Sequence, residues 1–398
     1  MGHSHTELKD PGSLPKSQTR TWILIGCFIL GVAILGVTFF QEPKRAFAAV
    51  LQNHFFFFSI ALGGLFISAI QFLTSAMWSA PVRRLAEAFT GYLPVVFLGF
   101  ILVCVGVPAL YIWSDPAIVA GNIVLEHKAG YLNVTFFVIR NLVAIGLWVW
   151  FGKLIIGRSL AQDKSGDVAL TLKNKALAPL FLMVFALSFT MASFDQLMSL
   201  DPLFFSTMFG VYCFAGLFSS ALALTAILAV TLRKQGILSK FVNDNHYHDL
   251  GKFMFAFSIF WAYIAFSQFM LIWYANLPEE TGYFILRLNP EWLSLTLSVF
   301  FLKFLFPFFA LLPRSAKRSG KRLVVVGSVM LFAHWLDLLW LVQPSIFEKT
   351  GPRFLAEIGG LLAFGSIFFG AVFRFLEKHS VVAIHDPKLA ESVFEHQQ

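Results

Sequence analysis

The sequence predicts an all-α integral membrane protein with ten transmembrane helices, and three observations carry that prediction. Hydrophobic residues make up 58% of the chain, charged residues only 13%, and phenylalanine occurs 48 times; soluble domains run at roughly 45–50% apolar and about 25% charged. Apolar runs recur along the whole length, each of roughly 20 residues and so long enough to cross a hydrocarbon core of about 30 Å. The basic residues between the runs fall mostly on alternate joins. The alternating segments of about 10 residues that mark a transmembrane β-barrel are not seen.

A polar tail (1–21) precedes the first run at 22–40, which closes at Gln41-Glu42-Pro43. The second run, 55–77, opens on the phenylalanine tract of "HFFFFS", and the third, 91–113, ends before Asp115-Pro116. Runs at 131–152 and 176–198 follow, and Asp201-Pro202 separates the fifth from the sixth at 203–232. The seventh, 252–274, stops before Leu277-Pro278, the eighth, 291–311, before Leu312-Pro313, and the ninth, 323–342, before Gln343-Pro344. The tenth, 354–376, leads into a tail at 377–398, so 22–376 reads as one ten-span membrane domain. Proline and glycine at the joins are the expected punctuation.

One side receives the N-terminal tail, Arg83 and Arg84, the Arg158–Lys175 join, Arg233 and Lys234, the Arg314–Arg322 cluster, and Arg374 with Lys378. The other holds only Lys44, Arg45, Lys128, Arg287, Lys349 and Arg353. Positive residues stay cytoplasmic, so both termini are expected in the cytoplasm, of a bacterial inner membrane under the family reading below. The net charge of +8 follows this membrane pattern and is no nucleic-acid signal. Cys27, Cys104 and Cys213 all lie within apolar runs with no CxxC pair, so neither a structural zinc site nor an iron–sulfur cluster is expected in this chain. "HYHD" at 246–249 reads as a solvated loop. A bis-histidine haem is not expected, because His334 alone is read as well inside a span.

Ionisable groups inside a membrane are functional candidates by default. Arg140 lies near the middle of span four and Lys303 near the middle of span eight. His334 and Asp337 are three residues apart in span nine, hence on one helical face. Glu357 stands near the outer end of span ten and His54 at the outer start of span two. Asp195 lies six residues before Asp201, roughly 9 Å deeper at about 1.5 Å per residue. Two readings compete for these groups. In one, Asp195, Lys303, His334, Asp337, Arg140 and Glu357 supply a proton route. In the other, they pair across helices and hold the bundle together; for Arg140, whose guanidinium hardly deprotonates, pairing is favoured. Asp201, before Pro202, is expected to cap the start of span six. Gln268, Glu279 and Glu280 stand at the outer end of span seven, on the same side as His54 and Asp201; as contacts for quinol or an outer-side partner these five are candidates only under the family resemblance given next.

Two stretches are specific. "FDQLMSLDPLFFSTMFGVY" (194–212) and "DLGKFMFAFSIFWAYIAFSQFMLIWYANLPEET" (249–281) resemble the membrane subunits of alternative complex III, the NrfD/PsrC-like family of quinol:cytochrome c oxidoreductases, and among these most the ActF type. The resemblance runs over all ten spans. The chain departs from the family pattern at Gln196, where an aromatic is common, and at Leu203-Phe204, where His-Trp is common. The resemblance implies two four-helix bundles, spans 2–5 and 6–9, with spans 1 and 10 peripheral. It implies menaquinone or ubiquinone as the substrate of the complex, with no tightly bound cofactor in this chain. The implied partners are a second NrfD-like membrane subunit, an outer-side iron–sulfur protein, multihaem and monohaem cytochromes c, small membrane anchor subunits and a terminal oxidase. Two alternatives stay open beside it: a purely structural anchor of the same complex, and a secondary transporter, for which Gly63-Gly64 and Gly359-Gly360 would be the helix breaks.

Overall fold

In the computed structural model, which describes residues 9–394, the chain is all-α, and ten of its helices are long and apolar enough to cross a membrane. We number these α1 (Gln18–Gln41), α2 (Pro43–Thr74), α3 (Ala80–Leu110), α4 (Val134–Ser165), α5 (Ala169–Leu200), α6 (Phe209–Lys234), α7 (Asp244–Ala275), α8 (Pro290–Leu311), α9 (Gly320–Ile346) and α10 (Leu355–Lys378). Both described chain ends lie on one side of the helix array, here the terminal side; the α1–α2, α5–α6 and α9–α10 joins lie on the opposite side.

Two helices form the middle. α2 packs against α1, α3, α5, α6, α9 and α10, while α6 packs against α2, α5, α7 and α9. These two are the most enclosed of the ten, and α1, which lies along α10, is the most exposed. Close approach needs small residues where there is no hydrophobic force between helices. A Cβ on Gly63 would meet the Ala221 side chain at 2.7 Å, and one on Gly64 would meet the Ala86 carbonyl at 2.3 Å. Gly63-Gly64 and Gly359-Gly360 therefore serve as packing faces; the helices run through both pairs unbroken.

α2 starts at Pro43, twelve residues before the predicted 55. Its first turns carry Lys44, Arg45, Gln52, Asn53 and His54, too polar to read as lipid-facing. Lys44 is exposed, but the others face inward: Arg45 is buried, and Gln52, Asn53 and His54 are all fully buried. His54 consequently sits about 16 Å along the axis from the helix start, not at its outer end. Asp201 also differs from expectation. α6 begins only at Phe209, with Met208 at its N-cap. Asp201 instead holds the preceding turn, accepting from Leu203 N through its side chain and from Phe204 N through its carbonyl. The "HYHD" stretch opens α7 rather than a loop, with His246 in a capping box with Asn243 and bonded to Ser392 near the chain end.

Candidate functional site: a buried ion cluster

The site begins with a proline. Pro307 has no N–H to donate to the carbonyl four residues back, that of Lys303, so the α-helical ladder loses a bond there. The chain accommodates this as a π-helical turn at Phe301–Leu305, where Phe306 N donates to Phe301 O, five residues back. Such turns recur at functional sites, and Lys303 stands at the centre of this one.

Lys303 points into a fully enclosed polar cluster. Its ammonium pairs with Asp337 Oδ2, and the Tyr212 hydroxyl donates to Asp337 Oδ1. Lys303 Nζ lies 3.4 Å from His334 Nδ1, and His334 Nε2 lies 3.4 Å from Ser59 Oγ. Both separations exceed an ordinary hydrogen bond. The ammonium also stands 4.7 Å from the Trp261 ring centre, a cation–π contact. All five polar residues are buried. Gly216 makes room, since a Cβ there would stand 2.5 Å from His334 Cε1. Tyr212 lies one turn into α6 from the opposite side, and Ser59 at the midpoint of α2. The polar chain thus runs from near one face to the middle of the helix array.

Three of the six residues expected on a proton route are therefore brought together: Lys303, His334 and Asp337. Tyr212 and Ser59 join them without having been singled out. Tyr212 carried a signal, because it closes the 194–212 motif; Ser59, one serine in a phenylalanine tract, carried none.

Asp195 and Arg140 form a separate unit. Arg140 Nε and Nη2 reach the two oxygens of Asp195 at 3.0 and 2.8 Å, and Asn141 Nδ2 adds a third bond at 3.1 Å. The guanidinium also donates to Tyr131 O and lies 3.8 Å from the Tyr131 ring centre. Burial, aided by the Asp195 charge, pushes the Tyr131 hydroxyl up to about 12, so it stays a neutral phenol. Gln196 Nε2 donates to Asn141 Oδ1. This bidentate fork is the pairing reading of Arg140 in full, and it leaves Asp195 with both oxygens occupied.

Glu357 is buried elsewhere, with Gln343 Nε2 on one oxygen and no partner on Oε2. Asn53 ties this group to Trp335, accepting from its indole and donating to Glu357 O. His54 is packed against Phe58, Phe100 and Phe364 with neither ring nitrogen bonded. Gln268 lines an aromatic cavity on the opposite side. Glu280 lies on the short helix Pro278–Leu288, and the side chain of Glu279 lies outside the described residues. Near Asp201, Lys128 Nζ donates to Pro202 O; burial lowers the Lys128 pKa, with Asp201 opposing.

Sequence reasoning missed one further network, on the terminal side. Arg83 and Arg84, read as loop charges, lie in the first turns of α3, and both pair with Glu87. Arg84 also pairs with Asp163, Arg83 with Asp386 of the C-terminal segment, and Ser159 Oγ donates to Glu87. The spacing "RRLAE" was its signal, two cations three and four residues from one carboxylate.

Among the described residues no group of three or more His, Cys, Asp or Glu converges as a metal set would. Compared with family models and with curated proteins, the sequence matches none.

Proposed function

We propose that this chain is an integral membrane subunit of alternative complex III, of the ActF type, that moves protons through the Lys303–Asp337 cluster while a second NrfD-like subunit oxidises quinol. The observation that carries the proton role is the enclosed sequence Tyr212–Asp337–Lys303–His334–Ser59. Each member holds or accepts a proton, and a π-helical turn presents the central lysine. A proton passing from Lys303 to His334 leaves a neutral amine beside Asp337; a proton arriving through Tyr212 restores the ammonium. Nothing is oxidised in these steps.

In the complex, quinol gives up two electrons and two protons in the sister subunit. The electrons pass to the outer-side iron–sulfur protein and the haems of the cytochromes c. Menaquinone or ubiquinone is the substrate class. The family assignment rests on the 194–212 and 249–281 motifs, and the inner-membrane orientation with both termini cytoplasmic rests on the loop charges.

The anchoring alternative draws on a specific observation, the Arg140–Asp195 fork, and it holds for that pair. The transporter alternative looked to the two glycine pairs as breaks, and both pairs lie in continuous helix.

Purification of the tagged protein from its own membranes in mild detergent tests the assignment. Stoichiometric iron–sulfur and c-type cytochrome partners, with quinol:cytochrome c activity, are expected. A lone colourless protein, under cross-linking that preserves assemblies, would overturn it.

A further inference from the structure

α1 and α10 lie side by side at the edge of the array. They meet closely at Gly31, where a Cβ would stand 2.5 Å from Ala363 N. Toward the terminal side of that contact, a groove of about 630 Å³ runs between them. Its floor is apolar, with Leu24 and Phe28 from α1 and Ile367 and Phe373 from α10. Its terminal end is rimmed by four cations, Lys16, Arg20, Arg374 and Lys378, and by the carboxylate of Glu377.

The carboxylate is already taken. Arg20 pairs with Glu377, donates to Pro15 O at 3.0 Å and stands 4.6 Å from the Phe373 ring centre. Lys16, Arg374 and Lys378 are exposed, with no carboxylate in ion-pair range among the described residues. The backbone fixes their places. Leu14 N donates to Leu376 O at 2.8 Å and Val381 N to Gly12 O at 3.1 Å, which lays the segment carrying Lys16 across the end of α10. Arg374 and Lys378, four residues apart, share one face of that helix. Three like charges held near one another repel, and an anion among them relieves the repulsion. Basic residues flanking a span are enough to set its orientation, but orientation does not call for an apolar groove leading from them into the bilayer.

We propose that this groove binds an anionic glycerophospholipid. Its phosphate sits among Lys16, Arg374 and Lys378, and one acyl chain lies along the floor between α1 and α10. Basic pockets between helices at a membrane surface suit such heads. The floor runs on for roughly 10 Å from Arg374 to Ile367 at about 1.5 Å per residue, which takes it from the level of the phosphate into the hydrocarbon. A zwitterionic lipid is the poorer fit, because its ammonium would stand among three cations. An acidic peptide would meet the cations but leave the apolar floor below them unfilled. The site is independent of the assignment to a quinol-oxidising complex, and binding there involves no chemical step.

The test uses the purified assembly in phosphatidylcholine nanodiscs that carry a trace of phosphatidylglycerol with a diazirine in its acyl chain. After irradiation the label is mapped by peptide mass spectrometry. It is expected within 20–28 and 366–374, competed by unlabelled phosphatidylglycerol and not by inorganic phosphate. Arg374→Gln/Lys378→Gln should lower it about twenty- to thirtyfold, at about fivefold for each basic residue near the surface. Lys321→Gln/Arg322→Gln removes two exposed charges from the same side, at the start of α9, and should leave the label unchanged. Both charge variants alter exposed side chains and spare the packing. Gly370 lines the groove, and a Cβ there meets nothing within 4 Å, so Gly370→Leu should displace label from the floor with every charge kept. Label spread evenly over the lipid-facing helices, an equal fall in the α9 variant, or competition by inorganic phosphate would each overturn the proposal. So would cross-links from the groove to another protein in place of lipid.

Discussion

Lys303 and Asp337 meet as an ion pair between α8 and α9, each side chain under 5% exposed. The second oxygen of Asp337 is taken by Tyr212. A buried pair of this kind is weak ground for stability, since desolvation offsets much of the attraction, but removing one partner strands the other at about 3–5 kcal/mol.

That asymmetry separates proton movement from anchoring. Lys303→Met alone should lower the unfolding midpoint in detergent and abolish proton translocation in liposomes. The double variant Lys303→Met/Asp337→Leu removes both charges and should recover most of the lost stability while translocation stays absent. Translocation restored together with stability would make the cluster structural only.

Gly216 supplies a steric test of the same site. Ala is a better helix former than Gly, so Gly216→Ala on an open face would be neutral or stabilising. Here the new methyl meets His334, and the ring must leave its place between Lys303 and Ser59. Translocation should fall at least tenfold, with assembly retained. Gly26→Ala, where nothing lies within 4 Å, is the control and should change neither. Equal translocation in the two variants would remove His334 from the path.

The array of ten helices was legible because length and hydropathy alone decide it, and each predicted run overlaps one helix, with ends displaced by up to about a dozen residues. The interior was legible only in part. His334 and Asp337 share a face by spacing, so their meeting was foreseeable; Lys303 joins them from a π-helical turn just before Pro307, and such a turn alters which face a residue presents. His54 was misplaced because hydropathy assumes that each span faces lipid, whereas the first turns of α2 face protein and tolerate Gln52 and Asn53. Asp201 was misassigned because an aspartate before proline caps a turn as readily as a helix. Arg84 and Glu87 were overlooked as a pair despite their i,i+3 spacing, since a charge count treats every basic residue near a join as solvated.

The Arg140–Asp195 fork predicts a loss of folding rather than of transfer. Asp195→Ala leaves the guanidinium buried with only carbonyl and ring contacts, and should cost about 3–5 kcal/mol, read as a lower midpoint and poor assembly. Arg140→Met/Asp195→Leu should be better tolerated than either single change. Asp195→Asn that assembles normally but loses proton release would instead return Asp195 to the proton route.

The terminal-side network makes the C-terminal segment part of the fold. Asp386 is held by Arg83, Ser392 by His246, and Gln162 Nε2 donates to His385 O, so the segment after α10 is fastened at three points to α3, α7 and α4. Arg83 is buried and keeps only Glu87 when Asp386 is lost, a carboxylate it shares with Arg84 and Ser159, while Arg84 retains Asp163 as well. Asp386→Ala should therefore destabilise by less than Asp195→Ala, about 1–3 kcal/mol if the loss is that of a charged hydrogen bond. Glu87→Gln should cost more, because it withdraws the charge from two arginines at once. Thermal unfolding of the three variants in one detergent gives the order. If Asp386→Ala matches Glu87→Gln, then the tail carboxylate, and not Glu87, is the principal counter-charge for Arg83.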